Sequence, residues 1–266
     1  MFKRNNSYLG KIIYYLVCIR IRFLCVGFSI ILSITNSSFA QNTSLEFWPE
    51  TDIWYRLSPA WRLSAFIPIT KYHESKNRDL NIYLQADYDW GRTKHLLNMR
   101  LMDGNRAQQI KGWLARGGFM EGWSLGENAG TYTEDMLFAE IHRRTPLKGK
   151  ALFSSRLRTD FRWVGQDPVF SYRIRARLML EKEFKAGRSS IVPFINAEPY
   201  WDSRYSTISR VRATAGAMVA WGPLFAYEAN LTYQYDENYN TTNLYALNII
   251  LHVSFETKKA RSKHSN

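Results

Sequence analysis

Cysteine is nearly absent from this sequence. The 266 residues contain two, Cys18 and Cys25, and both lie close to the start. From Gln41 onward the chain therefore has no disulfide, no thiol nucleophile and no cysteine-ligated metal. It also has no run approaching the ~18 apolar residues that a membrane-spanning helix requires. The chain after Gln41 must therefore be stabilised by its core or by a membrane, without covalent cross-links.

Acidic residues are also few relative to basic ones, 23 against 36, which gives a net charge of +13. This excess is concentrated at the two ends of the chain. The first forty residues hold five basic residues and no acidic one, and the residues after Phe255 hold four basic residues against Glu256. The remaining body, 41–255, has a net charge of only +5. The overall basicity therefore does not indicate a nucleic-acid partner, and none is expected.

The N-terminal forty residues have the pattern of a secretory signal peptide. Residues 1–22 are basic, Phe23 to Ile34 are apolar, and small and polar residues follow up to Ser38-Phe39-Ala40. This order predicts export and cleavage after Ala40. An uncleaved anchor is the alternative, although the apolar stretch is shorter than the ~20 residues that span a bilayer. The predicted organisation is a signal peptide over 1–40, one folded domain over 41–255 and a basic tail over 256–266.

Apolar and polar residues alternate over most of the chain after Gln41. Between Phe170 and Glu183 most apolar side chains fall on one face, whereas Arg173, Arg175 and Arg177 fall on the other. A helix would distribute these arginines around its axis, but a β-strand places them on one face. Turn residues separate the alternating segments. We therefore predict an all-β chain with twelve strands, at approximately 44–57, 61–72, 79–90, 93–102, 108–121, 132–143, 150–163, 169–184, 189–201, 207–221, 223–235 and 243–255.

The length of these segments favours a single closed antiparallel transmembrane β-barrel. They are longer than the ~5–6 residues of an average strand and match the ~9–11 residues that cross a bilayer. In such a barrel the apolar face meets lipid and the polar face lines the lumen. Aromatic residues of the outward parity precede several turns, as in an interfacial girdle: Trp90, Trp163, Trp201 and Tyr235. The alternative is a soluble periplasmic β-sandwich or a lipocalin-like binding protein.

The expected location is the cell outer membrane, with both termini in the periplasm and with outer-membrane lipid as the surrounding partner. Four segments are expected to face outside: Gly122–Thr131, Gly165–Pro168, Asp202–Ser206 and Asp236–Thr242. The N-terminal third is inconsistent, because strands counted back from Phe255 place the tight turns Ser58–Ala60 and Gly91–Lys94 outside as well. A wrongly divided segment between 95 and 130 would explain this conflict, so ten and fourteen strands are the alternatives.

Several short motifs resemble a family of outer-membrane β-barrels. They are Phe47-Trp48-Pro49-Glu50, the stretch from Tyr55 to Trp61, Arg156-Leu157-Arg158, Tyr172-Arg173-Ile174-Arg175 and the terminal strand ending at Phe255. The family is an uncharacterised one, a domain of unknown function common in Bacteroidetes and other Gram-negative bacteria. The resemblance implies a barrel inserted by the barrel-insertion machinery through its terminal strand, and it implies no catalytic residues. The residues after Phe255 depart from this pattern, because such barrels usually end at the terminal aromatic residue.

The charged residues of the seventh to tenth strands form the candidate functional site. Hairpin pairing predicts that Asp160 lies opposite Arg173, Arg158 opposite Arg175, and Arg156 opposite Arg177. The next two turns place Glu198 opposite both Arg175 and Arg210, and Asn196 opposite Arg212. Eight inward arginines and four inward acids give these strands an excess of four positive charges. The predicted lumen charge cluster is Arg156, Arg158, Asp160, Arg162, Arg173, Arg175, Arg177, Glu198, Arg210 and Arg212.

These charges either brace the wall of a structural barrel or line a narrow pore. Twelve strands lie between eight, which leave room only for side chains, and sixteen, which leave an open channel. A positive wall would favour anions such as acidic sugars or phosphates. A lipid-modifying enzyme is the further alternative, with His142 and His252 on the lumen parity. The sequence contains no recognisable catalytic, metal-binding or phosphate-binding motif, so no cofactor is expected, and the oligomeric state is left open.

Overall fold

The structure is a computed structural model that describes residues 43–72, 78–93, 98–102, 108–125, 132–187, 189–237 and 243–257. The predicted signal peptide, its cleavage after Ala40 and all but the start of the basic tail lie outside the described residues. Within these ranges, no helix is long and apolar enough to span a membrane.

The described residues form fourteen β-strands, and the period-two alternation of the sequence runs through each of the long ones. In chain order the strands are β1 (Thr43–Arg56), β2 (Trp61–Tyr72), β3 (Arg78–Arg92), β4 (Asn98–Met99), β5 (Gln108–Gln109), β6 (Lys111–Leu125), β7 (Thr133–Leu147), β8 (Ala151–Val164), β9 (Val169–Lys182), β10 (Phe184–Ala186), β11 (Ser189–Asp202), β12 (Thr207–Trp221), β13 (Phe225–Asp236) and β14 (Asn243–Glu256).

Eleven long strands close into a single barrel. They pair in the order β1-β2-β3-β6-β7-β8-β9-β11-β12-β13-β14, and β14 pairs back to β1. The short β10 continues β9 along β11 in the same register, and β4 with β5 forms a separate two-stranded sheet. The prediction of an all-β closed barrel is confirmed, but eleven strands surround the lumen in place of the predicted twelve.

The seam between β1 and β14 is parallel, from Thr43 opposite Asn243 to Arg56 opposite Glu256. The prediction of an antiparallel barrel is therefore wrong at this seam, because an odd number of up-and-down strands makes the first and last run in the same direction. The prediction that both termini lie on one side also fails for the barrel strands. We call the end at which β1 begins the N-terminal end, and the end at which β14 finishes the C-terminal end.

The barrel is apolar outside and polar inside. Outward side chains such as Leu84 and Ile195 are each 57% exposed, whereas the inward Asp160 is 0% exposed. The same division runs along β13, where every second side chain from Ala226 to Asp236 is buried and each residue between is exposed. The alternation predicted from the sequence therefore separates an outer apolar surface from a lumen filled with charge.

The predicted outside loop Gly122–Thr131 begins too early. β6 continues to Leu125, so Gly122 lies within the barrel wall. Nearby Gly118 explains why these glycines do not mark a turn: a Cβ there would lie 2.5 Å from the backbone oxygen of Leu84 and 2.5 Å from the Phe138 ring. Glycine here permits close packing inside the barrel rather than a reversal of the chain.

The chain between β3 and β6 enters the lumen at the C-terminal end instead of adding a strand. Met99, Leu101 and Ile110 are at most 2% exposed and pack against Leu152. We call the described part of this connection, 98–102 and 108–110, the inserted segment. The predicted strand 93–102 does not form part of the barrel wall, because the apolar side chains of its described residues 98–102 are buried in the interior of the barrel. Removing this strand also resolves the parity conflict, since Ser58–Ala60 then lies at the same end as the turn 222–224.

Polar contacts and a small apolar cluster hold the inserted segment. The backbone N–H of Arg100 donates to Glu183 Oε2 at 3.1 Å, and that of Met102 donates to Glu181 Oε2 at 2.8 Å. The Met102 side chain packs in a buried cluster with Val192, Phe194, Met218, Ala220 and Ala226. Glu181 of β9, Glu183 just after this strand and apolar side chains of β11 to β13 together hold the inserted segment at the C-terminal end of the lumen.

Candidate functional site in the lumen

All ten residues of the predicted charge cluster lie on the lumen side of the barrel. They project from four neighbouring strands, β8, β9, β11 and β12. Those of β8 and β11 are buried, whereas those of β9 and β12 are partly accessible. Because period-two geometry sends alternate residues to the same face, the sequence pattern was sufficient to bring this set together.

The predicted pairing is correct for the first hairpin and displaced for the next two. Asp160–Arg173, Arg158–Arg175 and Arg156–Arg177 are partners between β8 and β9, as predicted. Glu198, however, lies opposite Arg177 and Arg212, two residues from the predicted position on each side, and Asn196 lies opposite Thr214. The β9–β11 connection is centred one residue later than expected, and a register irregularity at Tyr200–Trp201 shifts β11 against β12. A shift of two residues preserves the face, so these side chains remain in the lumen.

Glu198 is the centre of the cluster. It accepts hydrogen bonds from Arg175 Nε at 2.9 Å and Nη2 at 3.1 Å, from the Tyr200 hydroxyl at 3.1 Å, and from Arg156. Arg210, which was predicted to share Glu198, pairs instead with Asp236 of β13. The carboxylate is 3% exposed, so its charge is balanced by arginines rather than by bulk water.

Glu140 of β7 is a second centre, which the sequence reasoning did not include. Its carboxylate lies 3.0 Å from Arg158 Nη1, 3.5 Å from Arg156 Nη1 and 3.7 Å from Arg116 Nη1. His142 Nε2 lies 2.7 Å from Glu140 Oε2. Arg156 contacts both Glu140 and Glu198, and therefore links the two centres across β7, β8 and β11.

The ion pairs extend from these centres in both directions. Asp160 binds Arg173 at 2.8 Å and also contacts Arg158. On the other side, Asp87 accepts hydrogen bonds from Arg62 Nε at 2.8 Å and Arg116 Nε at 2.7 Å. The network thus runs continuously over seven adjacent strands, from β2 to β11.

The predicted excess of four positive charges is largely balanced by acids of neighbouring strands. Glu134 binds Arg162 at 2.9 Å, Glu140 contacts Arg156 and Arg158, and Asp236 pairs with Arg210. The signal that identifies these acids was present in the sequence, since Glu134 and Glu140 share the inward parity of β7. The predicted excess did not include these acids, because it covered only the four long strands after β7.

Two cavities lie one above the other in the lumen. The larger, of about 830 Å³, occupies the N-terminal half and reaches the rim at Ser44 and Leu244. The smaller, of about 360 Å³, lies between the first cavity and Met102 of the inserted segment. Both are lined by the same seven residues at their junction, which we call the waist: Trp48, Glu50, Phe66, Arg116, Arg156, Arg175 and Arg212.

Two lumen arginines lack a carboxylate partner within the described part of the chain. Arg177 faces the smaller cavity and makes no hydrogen bond or ion pair there. Arg212 donates to the neutral Gln234 at 3.0 Å and lies over the Trp48 ring, 5.1 Å from its centroid. Their positive charge is therefore not cancelled by a direct contact, unlike that of Arg156, Arg158 and Arg175.

The opposite wall of the lumen is acidic. β1 lies about half-way around the barrel from β8 and β9, and it directs Glu46, Glu50 and Asp52 inward. The arginine-rich wall and the β1 carboxylates therefore face each other across the cavities. Such an arrangement produces an electric field across the bore as well as a net potential along it.

The two lumen histidines are held by carboxylates. His252 Nδ1 lies 2.9 Å from Asp52, His252 Nε2 lies 3.1 Å from Glu228, and the ring stacks on Trp54 with centroids 4.6 Å apart. Over the described ranges, neither His142 nor His252 hydrogen-bonds a serine or threonine hydroxyl. Nor does any group of three metal-ligating side chains in these ranges have an arrangement that would hold an ion.

No family model and no curated protein sequence matches this chain, so the resemblance to a domain of unknown function has no support from those comparisons. Solved structures do match. A bacterial polysaccharide outer-membrane secretin has 9% identity and a TM-score of 0.43 over 73% of this chain and 64% of its own length. The β domain of the Bordetella autotransporter BrkA has 14% identity and a TM-score of 0.42, over 70% of this chain and 79% of that one. The KdgM porin, solved with disordered oligogalacturonate, has 10% identity and a TM-score of 0.40, over 72% and 91%.

This chain thus spans less than two thirds of the length of the secretin. Because these TM-scores lie below 0.5 and the identities below 25%, none of these likenesses indicates what this barrel binds or transports.

Proposed function

We propose that this protein is an outer-membrane β-barrel that forms a narrow, anion-favouring pore, closed at its C-terminal end by the inserted segment. The membrane location is supported by the outer surface. Large apolar side chains of most long strands are exposed there, while charged side chains are buried in the lumen. A soluble sandwich or lipocalin-like barrel would have the opposite distribution, so this surface disfavours that alternative.

Two belts of aromatic residues support the same location. Phe225 and Tyr235 are ten residues apart on β13 and lie in opposite belts, which corresponds to roughly 25 Å of membrane thickness for a strand tilted by about 40°. The belt at the C-terminal end comprises Tyr55, Trp61, Tyr88, Trp90, Trp113, Trp221, Phe225, Tyr227 and Phe255. The belt at the N-terminal end comprises Trp123, Trp163, Phe170, Tyr172, Trp201, Tyr233, Tyr235 and Tyr245.

The C-terminal end faces the periplasm in this proposal. Its connections include the tight turns 57–60, 148–150 and 222–224, and outer-membrane barrels have their short turns on the periplasmic side. The larger cavity then opens to the outside. A solute would meet the wide charged cavity first, the waist second and the inserted segment last.

The composition of the waist is the main support for the proposed anion preference. Four of its seven residues are arginines, and the only acid among them is Glu50. Arg212 and the nearby Arg177 have no carboxylate contact, so their charge is available to a passing anion. A constriction with uncompensated charge of one sign raises the local concentration of the opposite ion.

Planar-bilayer recording tests this proposal. Because the inserted segment closes the lumen, the native protein should conduct weakly, and Glu181→Gln with Glu183→Gln should increase conductance by weakening its attachment. In that background, replacing Arg177 and Arg212 by Gln should lower the chloride-over-potassium permeability ratio by about twofold or more, because the lumen potential falls. Arg78→Gln, at the outer rim of β3, is the matched control and should leave the ratio unchanged.

The structural barrel remains the second candidate, because the ion-pair network and the inserted segment together fill much of the bore. If neither the native protein nor the variant Glu181→Gln/Glu183→Gln conducts, the structural barrel would be favoured. A lipid-hydrolysing or acyl-transfer activity that is lost in His142→Gln or His252→Gln would instead favour the enzyme alternative.

A further inference from the structure

The outer surface of the barrel carries a second charged site, which the pore does not use. Six basic residues lie around the C-terminal rim between β3 and β9, on β3, β6, β7 and β9 and in the turn between β7 and β8. We call this set the basic arc: Arg92, Lys111, Arg143, Lys148, Lys150 and Lys182. The geometry points to a binding site for the phosphate groups of anionic phospholipids.

The basic arc lies just beyond the aromatic belt. Arg92 and Lys111 are opposite each other on the outward face, and the Trp90–Trp113 pair lies two residues farther from the rim on each strand. Arg143, across from Trp113, places its guanidinium 4.7 Å from the centroid of that ring. Aromatic girdles sit at the depth of the lipid headgroups, so charges adjacent to the girdle lie where phosphates are found.

The residues of the basic arc lie close enough together for one or two headgroups. Arg92 lies opposite Lys111, and Arg143 Nη1 lies 3.5 Å from the backbone oxygen of Gly112, the residue next to Lys111. A Cβ at Gly149 would lie 3.8 Å from Lys182 Nζ, so that ammonium group lies beside the turn that contains Lys148 and Lys150. The arc thus has two groups of three basic residues on adjacent strands.

No acid within the described residues balances this charge on the outward face. At the C-terminal end the nearest acids, Asp89 and Glu183, point into the lumen and are 6% exposed. Like charges directly opposite each other on a sheet, as at Arg92 and Lys111, are destabilising unless an anion lies between them. An anionic headgroup satisfies this requirement without any change in the barrel.

The rest of the outer surface differs from the basic arc. On the outward face of β11 to β14, β1 and β2, the C-terminal rim is apolar, with Trp221 and Phe255 among its exposed residues. At the N-terminal end of β6 and β7 the outward charges are the carboxylates Glu121 and Asp135, which lie opposite each other. At the C-terminal rim the outward positive charge is therefore confined to one side of the barrel, whereas at the other end Arg78 is exposed on β3.

Phospholipid is the occupant that fits this rim, because it forms the periplasmic leaflet of the outer membrane. That leaflet assignment rests on the orientation proposed above. The recognition of phosphate rests on the arc itself, and neither depends on whether the pore conducts. A basic patch near a membrane surface gains about 1 kcal/mol per Lys or Arg from anionic lipid, or about fivefold in affinity.

Native mass spectrometry of the full barrel, after equilibration in mixed phosphatidylethanolamine and phosphatidylglycerol, tests the site. The protein should retain phosphatidylglycerol at least about tenfold over phosphatidylethanolamine at low salt. The variant Arg92→Gln/Lys111→Gln/Arg143→Gln should lose most of this preference, whereas Arg92→Lys/Arg143→Lys should keep it. Arg78→Gln, an exposed basic residue at the other end, is the matched control and should have no effect.

Heat-modifiable gel mobility in zwitterionic detergent shows whether each variant is folded, and the lipid comparison uses only folded protein. Equal retention of both lipids by the native protein would overturn the proposal, as would unchanged preference in the triple Gln variant. Preferential retention of lipid A by the same residues would also overturn it, because the arc would then lie in the outer leaflet.

Discussion

The two halves of the lumen are built on the same strands but differ in the side chains that face inward. Near the N-terminal end β8 and β12 direct Arg158, Arg162 and Arg210 inward, and the bore holds a cavity of about 830 Å³. Near the C-terminal end the same strands direct Leu152 and Met218 inward, and the inserted segment fills the bore. The alternation along a strand determines only whether a side chain faces the lumen or the outside. Whether the inward side chains are charged or apolar determines where the lumen holds a cavity and where the inserted segment fills it.

The largest expected effect on stability concerns the N-terminal half of the lumen, which we call the charged half. Glu198→Gln leaves Arg156 and Arg175 without their shared carboxylate, and breaking a buried charge pair by removing one partner costs about 3 kcal/mol or more. We expect the free energy of unfolding, measured by denaturant titration in detergent or lipid, to fall by that amount.

Glu46→Gln is the matched control, because Glu46 lines the same cavity but forms no ion pair within 4 Å across the described ranges. Equal losses from the two substitutions would show that the network adds no stability beyond lumen polarity.

The next largest effect concerns the C-terminal half of the lumen, which the inserted segment closes. Met102→Ala removes a side chain packed against Val192, Phe194 and Met218, which should cost about 2 kcal/mol in unfolding free energy. It should also raise single-channel conductance, because the inserted segment loses part of its attachment.

Met136→Ala in the charged half removes the same type of buried side chain from a cluster with Met120 and Phe138. It should lower stability by a similar amount and leave conductance unchanged. A rise in conductance with both variants would mean that general loosening of the barrel, and not release of the segment, opens the bore.

The smallest effect on stability is expected for the uncharged lumen residues of β12, β13 and β14 between the two halves, which we call the neutral wall. The Thr232 hydroxyl lies 3.1 Å from that of Thr214 and accepts a hydrogen bond from Asn248 Nδ2 at 2.9 Å. The hydroxyl also donates to Asn230 Oδ1 at 3.3 Å. Thr232→Val removes all three contacts and should cost about 1 kcal/mol, the usual net value of a hydrogen bond. Chemical unfolding beside the Glu198→Gln variant provides the measurement. A loss as large as that of Glu198→Gln would remove the distinction between the charged and neutral walls.

The sequence was sufficient for the fold class and for the membership of the charge cluster. Both depend on period-two alternation, which is a local property that a single strand displays completely, as Arg173, Arg175 and Arg177 do on β9. The three β8–β9 pairs were also predictable, because a tight turn at 165–168 fixes the register of its own hairpin.

The features that the sequence did not reveal depend on contacts between distant segments. Met99 and Leu101 alternate with polar residues as a lipid-facing strand would, and only the apolar row of Leu152 and its neighbours shows that they face inward. Likewise, the partner of Arg210 is Asp236 and not Glu198, since the β11–β12 register lies two residues from the expected one, and the irregularity at Tyr200–Trp201 accounts for one of the two. Loop lengths and bulges set such offsets, and alternation does not encode them.

The parallel seam has a consequence for how the chain folds. Thr43 meets Asn243 across the seam, so the final pairing joins segments that almost the whole barrel separates in sequence. Until β14 arrives, the growing sheet has two unpaired edges that can associate with other chains. Contacts of such long sequence separation form slowly, since the entropy of closing the loop must be overcome before they contribute. We therefore expect closure of β1 onto β14 to be the slow step in folding, and we expect the chain to be most prone to aggregation before that step.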